Sequence, residues 1–355
     1  MTSFFEECAA AAVPVDERAA RAAAELHLRL TKPPGALGRL ETAGVQLAAI
    51  AGQSPPPVPE PAAVAVFAGD HGVLVEGVSP WPAEVTAQML ANFAAGGAAI
   101  NVLARHAGAR VVVVDVGVAT PYEPHPGIVD ANVRKGTGNM AREPALTGDE
   151  ARAALDVGAS TAARLVDEGA RALITGEMGI GNTTPSAALI AAFTGSPPAD
   201  VTGRGTGIDD QTLAHKVAVI ERALARHAAT PTADDPIDTL ASLGGLELAA
   251  LAGFIVGGAS RRVPVIIDGV IACAALLVAH ALVPEALGYC VAGHRSTEPG
   301  AAAALAHVGL VPLLDLDLRL GEGSGACLAL PVLQAAAKIL REMATFDAAG
   351  VTAKH

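Results

Sequence analysis

The stretch RALITGEMGIGNTT, which runs from Arg171 to Thr184, contains the pattern that decides the fold. Its first five residues are a short β-rich run, and the glycine-rich turn GEMGIGN follows directly. A helical stretch begins immediately after this turn. Short apolar strands that are separated by helices are typical of a parallel sheet whose two faces are both covered. The stretch therefore predicts one repeat of an α/β fold.

The same unit recurs along the chain. Further β-rich runs are Ala63–Phe67, Arg110–Val116, Pro264–Asp268, Ala286–Val291 and Leu310–Leu316. Helical stretches between the runs are Ala83–Ala107, Asp149–Glu168, Asp209–Ala228, Leu246–Ser260 and Val270–Ala281. Thr147 and Glu150 have the spacing of a capping box before one of these helices. The sequence therefore predicts an α/β protein with a Rossmann-like, doubly wound, mainly parallel sheet of six strands.

The two ends of the chain have a different pattern. Val15–Leu30, Arg39–Ala51 and the residues after Gly325 are helical in character, and the proline-rich segment Gln53–Pro61 separates the first two from the rest. We expect a Rossmann-like catalytic domain of residues 60–320. Residues 1–52 and 325–355 are expected to form a small helical domain together.

The composition limits the classes of partner and the compartment. The chain has 355 residues and a formal net charge of −12, and it contains no run of Lys or Arg. Such an acidic surface repels phosphates, so no nucleic-acid partner is expected. No stretch of about 20 clean apolar residues is found, which argues against a membrane partner. The N-terminal segment lacks the basic part of a signal peptide and the four cysteines form no CxxC pair, so we expect a cytoplasmic protein.

Glycines and polar side chains follow each predicted strand. Ligands of open parallel sheets bind at the carboxyl ends of the strands, which share one edge. The segments at this edge are Gly69–Gly72, Asp115–Gly117, Gly176–Thr184, Asp268-Gly269, Gly293–Ser296 and Arg319–Gly325. One such turn is ordinary loop chemistry, because polar residues favour turns. Six together predict a ligand site.

Two glycine-rich segments are candidates for holding an anion. Gly179–Thr184 opens a helix, where glycines let backbone N–H groups approach a phosphate. Thr202–Gly207 precedes a second helix and contains Arg204, and Lys216 lies one to two turns into that helix. Each loop taken alone is better explained as a tight turn between strand and helix. Together with Lys216 they favour a phosphate site, although neither ends as a Walker A loop does.

Two glutamates are candidate catalytic residues. Glu322 is flanked by Gly321 and Gly323, which give the backbone freedom and allow a ligand to approach closely. From the residues alone, an ordinary surface-loop glutamate is an equal alternative. Glu177 follows a strand just before the first glycine loop, and its alternative is a charge that a helix N-terminus favours.

By residue type, Asp70 and His71 could either bind a metal ion together or act as an acid–base pair. The sequence contains neither an HExxH motif nor a compact cluster of His, Cys and Asp, so metal binding is the weaker interpretation. No metal site is therefore predicted.

Taken in order, these segments resemble the nicotinate-nucleotide–dimethylbenzimidazole phosphoribosyltransferase family. The motifs are TKPPGALGRLE (Thr31–Glu41), AGDHGVLVEGVSPWPAEVTAQM (Ala68–Met89), GTGNM (Gly136–Met140), GEMGIGNTT (Gly176–Thr184), GRGTGIDD (Gly203–Asp210), GGLELAA (Gly244–Ala250), DG (Asp268-Gly269) and GEGSGA (Gly321–Ala326). No single motif is decisive, but the ordered set is specific.

The resemblance implies an activity and two catalytic residues. The family transfers the 5-phosphoribosyl group from nicotinate mononucleotide to 5,6-dimethylbenzimidazole, with inversion at C1′, in the assembly of the cobalamin nucleotide loop. Its general base corresponds to Glu322, and its second carboxylate, near the ribose, corresponds to Glu177. The resemblance also implies a homodimer that uses small-molecule substrates and needs no cofactor and no metal.

The substrate pockets are likewise implied by the resemblance. The family's phosphate pocket falls on Gly179, Gly181, Asn182, Gly203, Arg204, Gly205 and Lys216. Its base pocket falls on Ser79, Gln88 and Leu320. Pro80, Trp81 and Cys327 depart from the family pattern, which leaves open which base is accepted. Because only 3% of the residues are aromatic, we expect aliphatic, Met, Pro and Gly surfaces around the bases, with Trp81 as the nearest aromatic side chain.

A second class of function stays open at this point. A non-catalytic α/β protein that binds a nucleotide or a corrinoid precursor would share the loops, but it would have no need of both glutamates. A nucleoside kinase is disfavoured, because the sequence has neither a Walker A loop nor a set of carboxylates suited to Mg²⁺.

Overall fold

Six parallel strands form the sheet in the computed structural model, which describes residues 2–229 and 234–352. The strands are β1 (Ala62–Gly69), β2 (Ala109–Gly117), β3 (Ile128–Asp130), β4 (Ala172–Met178), β5 (Val265–Ile267) and β6 (Cys290–Ala292). Their order is β3-β2-β1-β4-β5-β6, and every neighbouring pair is parallel. This is the doubly wound order, in which the direction of winding reverses between β1 and β4. The predicted Rossmann-like α/β class is confirmed.

Helices cover both faces of the sheet. They are α1 (Phe4–Ala11), α2 (Glu17–Arg29), α3 (Arg39–Ala51), α4 (Glu84–Ala94), α5 (Ala99–Ala107), α6 (Gly148–Asp167), α7 (Thr183–Thr194), α8 (Pro198–Val201), α9 (Asp210–Ala228), α10 (Pro236–Leu243), α11 (Leu246–Ser260), α12 (Val270–Leu282), α13 (Pro299–His307), α14 (Ser324–Glu342) and α15 (Phe346–Ala349). The predicted capping box is present at the start of α6. The Glu150 N–H donates to the Thr147 hydroxyl at 3.2 Å, and the Thr147 N–H donates to the Glu150 carboxylate at 2.8 Å.

The core is built around β1 and α11, whose residues are almost all buried. Glycines let the backbones of α6 and α11 touch. A Cβ on Gly158 would lie 1.8 Å from the Ala250 carbonyl oxygen, and a Cβ on Gly253 would lie 2.0 Å from the Leu155 carbonyl oxygen. This close packing makes α6 and α11 a rigid layer. The strands pack against this layer, which thereby fixes the positions of their carboxyl ends.

Two predicted strands differ from the structure. The prediction of a strand at Leu310–Leu316 is wrong, because this segment forms only an isolated bridge between His294 and Leu314. Pro312 lies within it and has no N–H to give to a ladder. The sixth strand is instead β3, at the opposite edge. The prediction of a strand at Ala286–Val291 is wrong for most of its length, since Pro284–Tyr289 is a 3-10 helix and β6 begins at Cys290.

The predicted single helix Ala83–Ala107 is also wrong. It consists of α4 and α5, which are separated by a turn where Gly96 has a φ of 76°. Measured as one stretch, Glu84–Ala107 is long and apolar enough to cross a membrane. One such stretch is weak evidence, because core helices of globular proteins meet the same criterion.

The terminal helices pack on one another and on the sheet layers. α2 packs against α3, α3 packs against α14, and α1 packs against α6 and α11. The division into a domain of residues 60–320 and a domain of residues 1–52 and 325–355 stays a prediction.

Candidate active site

A cavity of about 410 Å³ opens at the carboxyl edge of the sheet, beside the point between β1 and β4 where the winding reverses. Its walls come from the end of β4, the starts of α7 and α12, the segment after β6, the loop before α14, and α4. Both candidate catalytic residues, Glu177 and Glu322, line this cavity. The predicted ligand site at this edge therefore corresponds to one continuous space.

Glu322 lies in the turn before α14. Its backbone has a φ of 64°, and both neighbouring glycines also have positive φ. The Ile100 backbone N–H, in the first turn of α5, donates to the Glu322 carboxylate at 3.0 Å. Burial raises the pKa of Glu322, and the hydrogen bond from Ile100 opposes this shift. Glu322 is thus a buried carboxylate that is held at a helix N-terminus and faces the cavity.

Asp268, directly after β5, fixes the turn that carries Glu322. Its carboxylate accepts hydrogen bonds from the backbone N–H groups of Gly323, at 3.2 Å, and Ala326, at 2.9 Å. His294 Nε2 lies 3.4 Å from the same carboxylate. Burial alone would lower the pKa of His294, but the hydrogen bond and the charge of Asp268 outweigh it and raise the pKa. Asp268 therefore holds Glu322 by way of the backbone.

Glu177 lies within β4, so it is not a charge at a helix N-terminus. Asn182 donates a short hydrogen bond to its carboxylate. The other carboxylate oxygen lies against Gly321, where a Cβ would be only 2.3 Å away. Burial, and then the negative charge of Asp268, raise the pKa of Glu177 to about 8. Burial thus favours the protonated form of the Glu177 carboxyl in the unliganded protein.

A cavity of about 40 Å³ adjoins the central one and gathers most of the candidate phosphate residues. It is lined by Ser79, Gly179, Gly181, Asn182, Arg204, Gly205 and Lys216, with other residues of the same loops. Gly203 instead lines a separate pocket on the outer side of its loop, where Arg204 also contributes. The structure therefore brings the two glycine-rich loops together, as the sequence predicted for one site.

The two basic candidates differ in their surroundings. Lys216 is buried, and its ammonium donates to the Thr183 hydroxyl at 2.7 Å and to the Gly203 carbonyl at 3.2 Å. Burial lowers the pKa of Lys216 to about 8, and the charge of Glu298 opposes this shift. Arg204 is exposed, donates to the Ile208 carbonyl at 2.9 Å and pairs with the Asp210 carboxylate. Lys216 is the cation that is built into the interior of the site.

The candidate base residues are only partly brought together. Leu320 lines the central cavity, and Ser79 lines the small one, where its hydroxyl accepts the Trp81 N–H at 3.2 Å. Gln88 lines a different space of about 580 Å³ beside Tyr122. Among the described residues that line the central cavity, Trp81 is the single Phe, Tyr or Trp side chain, and it is 50% exposed. The apolar wall consists of Val85, Met89, Met178, Ile180, Val270, Ile271 and Leu320.

Asp70 and His71 lie behind the glycine loop and do not line the central cavity. His71 Nε2 is 2.8 Å from the Glu247 carboxylate, and both side chains are buried. Burial alone would lower the pKa of His71, but Glu247 outweighs it and raises the pKa. The described residues include no group of three or more His, Cys, Asp or Glu side chains placed to hold a metal ion. The His71 side chain packs directly against the Gly179 loop, since a Cβ on Gly179 would lie 3.2 Å from His71 Nε2.

Sequence reasoning missed two groups that shape the site. The Ile100 N–H lies in the first turn of α5, inside a stretch that the sequence predicts as one continuous helix. Glu298 also lines the cavity and was not identified. A signal for it existed, because Glu298 follows Ser296 shortly after β6, at the edge where the other polar segments lie.

Comparison with known proteins identifies close relatives along nearly the whole chain. A family model described as "Phosphoribosyltransferase" matches residues 12–351. A nicotinate-nucleotide–dimethylbenzimidazole phosphoribosyltransferase of Salinispora tropica is 57% identical over 98% of this chain and 99% of its own. The enzyme of the same name from Chloroflexus aurantiacus is 56% identical over 96% of both chains. The crystal structure of the Thermus thermophilus enzyme superposes with a TM-score of 0.90 at 46% identity, over 96% of this chain and 100% of that one.

Proposed function

Because the chain belongs to the nicotinate-nucleotide–dimethylbenzimidazole phosphoribosyltransferase family, we propose that the central cavity holds the two substrates of that reaction. The enzyme is a pentosyltransferase of cobalamin biosynthesis. It transfers the 5-phosphoribosyl group of nicotinate mononucleotide to 5,6-dimethylbenzimidazole, giving α-ribazole 5′-phosphate and nicotinate. The observation that carries the assignment to this cavity is the meeting of two buried carboxylates, an apolar wall and the glycine loops in one space.

The reaction depends more on a general base than on assistance to the leaving group, nicotinate. One benzimidazole nitrogen forms a bond to C1′ while the bond from C1′ to the pyridinium nitrogen breaks, and that electron pair stays on the ring nitrogen of nicotinate. The leaving ring thereby becomes neutral. The proton on the second benzimidazole nitrogen passes to a carboxylate, which makes the first nitrogen a stronger nucleophile.

We assign the base to Glu322. Its carboxylate faces the cavity and is held by the Ile100 N–H, while Asp268 fixes the turn on which it sits. The raised pKa of Glu322 brings its proton affinity closer to that of the benzimidazole nitrogen. This similarity favours proton transfer from that nitrogen to the carboxylate. A positioned base of this kind contributes about 10²–10⁴-fold to the rate.

Glu177 is assigned to the ribose. The bound nucleotide carries a positive pyridinium ring beside C1′, and a nearby cation lowers the pKa of a carboxyl group. Nucleotide binding thus favours the ionised form of Glu177, whose pKa in the free protein is about 8. In that form Glu177 stabilises the positive charge that develops at C1′ as the bond to nicotinate breaks.

The 5′-phosphate is assigned to the two glycine-rich loops. α7 begins at Thr183, two residues after Gly181, and the N-terminus of a helix favours an anion. Lys216 supplies the buried positive charge at the same loops. We include Gly179, Asn182, Gly203, Arg204 and Gly205 in this assignment.

The aromatic base is assigned to the apolar side of the cavity. Leu320 and Trp81 lie there, and Ser79 lies at its border with the small cavity. Gln88 lines the separate cavity and not the central one.

We further propose a cytoplasmic homodimer that binds neither nucleic acid nor membrane. The net charge of −12 supports the first exclusion. The four cysteines are free and buried, which agrees with a reducing compartment. Light scattering after size-exclusion chromatography checks the dimer.

Product analysis tests the activity. Purified protein is incubated with nicotinate mononucleotide and a panel of bases that includes 5,6-dimethylbenzimidazole, benzimidazole and adenine, and the products are identified by mass. We expect nicotinate and the α-ribotide of dimethylbenzimidazole in equal amounts. If nicotinate mononucleotide raises the melting temperature but no base yields nicotinate, the protein is a nucleotide-binding protein and the catalytic assignment fails.

A further inference from the structure

Glu298 has an unusual place at the edge of the site. It is the N-cap residue of α13, yet its side chain makes no capping hydrogen bond to that helix. Only 6% of the residue is exposed. A buried carboxylate needs partners elsewhere, since its burial without them is costly.

The partner of Glu298 is the second glycine-rich loop. The Gly205 backbone N–H donates to its carboxylate at 2.8 Å. The other carboxylate oxygen lies against Gly203, where a Cβ would be only 1.8 Å away. The Glu298 carboxylate is therefore held directly against this loop, and any side chain at position 203 would displace it.

Lys216 contacts the same loop. Its ammonium donates to the Gly203 carbonyl at 3.2 Å, and it lies 3.7 Å from the place that a Cβ on Gly205 would occupy. Glu298 and Lys216 thus hold the Gly203–Gly205 backbone together, one through an N–H group and the other through a carbonyl.

Other charged groups around Lys216 have partners of their own. Arg204, in the loop itself, pairs with Asp210 at the surface. Arg319, from the loop before α14, donates to the Gly205 carbonyl at 2.9 Å. Glu177, at the end of β4, bonds to Asn182. α7, which supplies Thr183, carries no charged residue. The negative charge that raises the pKa of Lys216 is that of the Glu298 carboxylate.

We propose that Glu298 is a positioning residue for the nucleotide phosphate, which clamps the Gly203–Gly205 loop and keeps Lys216 in its charged form. The proposal rests on the proposed function only in naming the phosphate as the ligand of Lys216. The relation between the two side chains is a property of the free protein, so it can be tested without substrate.

The physical reason is the electrostatic balance at Lys216. Burial has already lowered the pKa of Lys216 to about 8, against the effect of Glu298. Without the carboxylate, desolvation acts alone and the pKa falls further. Above the new pKa the side chain is a neutral amine, which binds a phosphate far less well than an ammonium does.

The first experiment follows the titration of Lys216 in the unliganded protein. The chain has lysines only at positions 32, 135, 216, 338 and 354, so NMR of ¹³Cε-lysine-labelled protein gives a short spectrum, and Lys216→Arg assigns the signal. Glu298→Gln keeps an acceptor for the Gly205 N–H but removes the charge. We expect its Lys216 midpoint to lie at least one pH unit below that of the wild type. Coincident midpoints would overturn the proposal.

Asp200→Asn is the matched control. Asp200 is exposed in α8, so this variant removes one negative charge without touching the loop. It should leave the Lys216 midpoint where it is in the wild type. A shift equal to that of Glu298→Gln would show that net charge, and not the buried carboxylate, is responsible, and the proposal would fail.

The second experiment uses turnover. The alkaline limb of kcat/KM for nicotinate mononucleotide reports groups of the free enzyme. In Glu298→Gln this limb should move to lower pH, with a loss of about tenfold at pH 9 that is mainly a rise in KM. A lower KM at every pH would mean that the carboxylate merely competes with the phosphate, which contradicts the proposal. A wild type that releases no nicotinate would refute the proposed function and leave the NMR result to decide on Glu298.

Discussion

At the level of single residues, the strained backbone of Glu322 connects the sequence to the chemistry. A non-glycine residue at a φ of 64° costs about 1–2 kcal/mol. The Asp268 bonds to the Gly323 and Ala326 N–H groups hold the turn in this conformation. Strain that the surroundings maintain is typical of functional positions. Here it points a carboxylate into the cavity.

Replacing Glu322 with Gln tests the assigned base. The amide oxygen can still accept the Ile100 N–H, so the fold should be kept, but the amide cannot take a proton. We expect kcat to fall by about 10²–10⁴-fold, with KM changed by less than about threefold. Steady-state kinetics with circular dichroism as a fold check measures this. Glu285→Gln, which changes an exposed glutamate, should behave as wild type, and turnover near wild type in Glu322→Gln would remove Glu322 as the base.

For Glu322, the sequence predicts the local backbone conformation but not the residues that contact the side chain. Its flanking glycines are visible in the sequence, because the conformational requirement is local. The partners Ile100 and Asp268 are not, since they lie 222 and 54 residues away and no periodicity links them. The same holds for Glu298 and Gly205, which are 93 residues apart.

At the level of elements, the break between α4 and α5 creates the hydrogen-bond donor for the Glu322 carboxylate. In a continuous helix the Ile100 N–H would donate to the carbonyl four residues earlier. The turn at Gly96 and Gly97 frees it, because the first N–H groups of a new helix have no partner within the helix. The apolar pattern of Ala83–Ala107 predicted one helix, since periodicity registers the buried face and not a turn of three or four residues.

Gly96→Ala tests the role of this break. A Cβ would have room, with its nearest neighbour the Arg105 guanidinium at 3.6 Å, but the left-handed φ of 76° disfavours it. We expect the free energy of unfolding to fall by about 1 kcal/mol. If α5 also shifts, the acid limb of kcat/KM moves to higher pH, because the Ile100 N–H lowers the pKa of Glu322.

Gly148→Ala is the control for this substitution. Gly148 begins α6, and a Cβ there would meet nothing within 4 Å. Its backbone φ is not in the left-handed region. Its urea midpoint should equal that of the wild type or exceed it slightly. If the two variants have the same midpoint, the left-handed turn at Gly96 is not required.

Strand prediction succeeded or failed according to length and context. The longer runs in β1, β2 and β4 were found because each has at least four consecutive apolar or β-branched residues. β3 has three residues and is partly exposed, so it leaves no pattern. The apolar segment Leu310–Leu316 looks like a strand by composition, but only a single bridge forms there.

At the level of the whole molecule, the topology gathers acidic groups at one edge. The carboxyl ends of six parallel strands meet there, and Glu177, Glu322 and Asp268 all lie among them with little exposure. The location of the site could be predicted from this rule alone. The resulting burial of several carboxylates could not, since it depends on how α5, α11 and α14 cover the edge.

This arrangement predicts that Glu177 destabilises the folded protein at neutral and alkaline pH. In the unfolded chain its carboxyl ionises near pH 4.5, whereas in the folded protein its pKa is about 8. Below pH 4.5 both states carry the proton, and the group has no effect on stability. Between these values the folded state binds more protons than the unfolded state, so stability falls as the pH rises, by at most about 1.4 kcal/mol per pH unit. Above about pH 8 the effect becomes constant.

Glu177→Gln removes this group and should therefore stabilise the protein while it reduces turnover. Its gain in unfolding free energy over the wild type should grow from pH 5 to pH 8, which urea denaturation at pH 5, 6.5 and 8 measures. Glu221→Gln, at an exposed position of α9, should show no such growth. A gain for Glu177→Gln that is the same at all three pH values would mean that the Glu177 carboxyl already ionises normally in the folded protein. A growing gain together with lost turnover would show that the site keeps a buried carboxyl for its chemistry at the expense of stability.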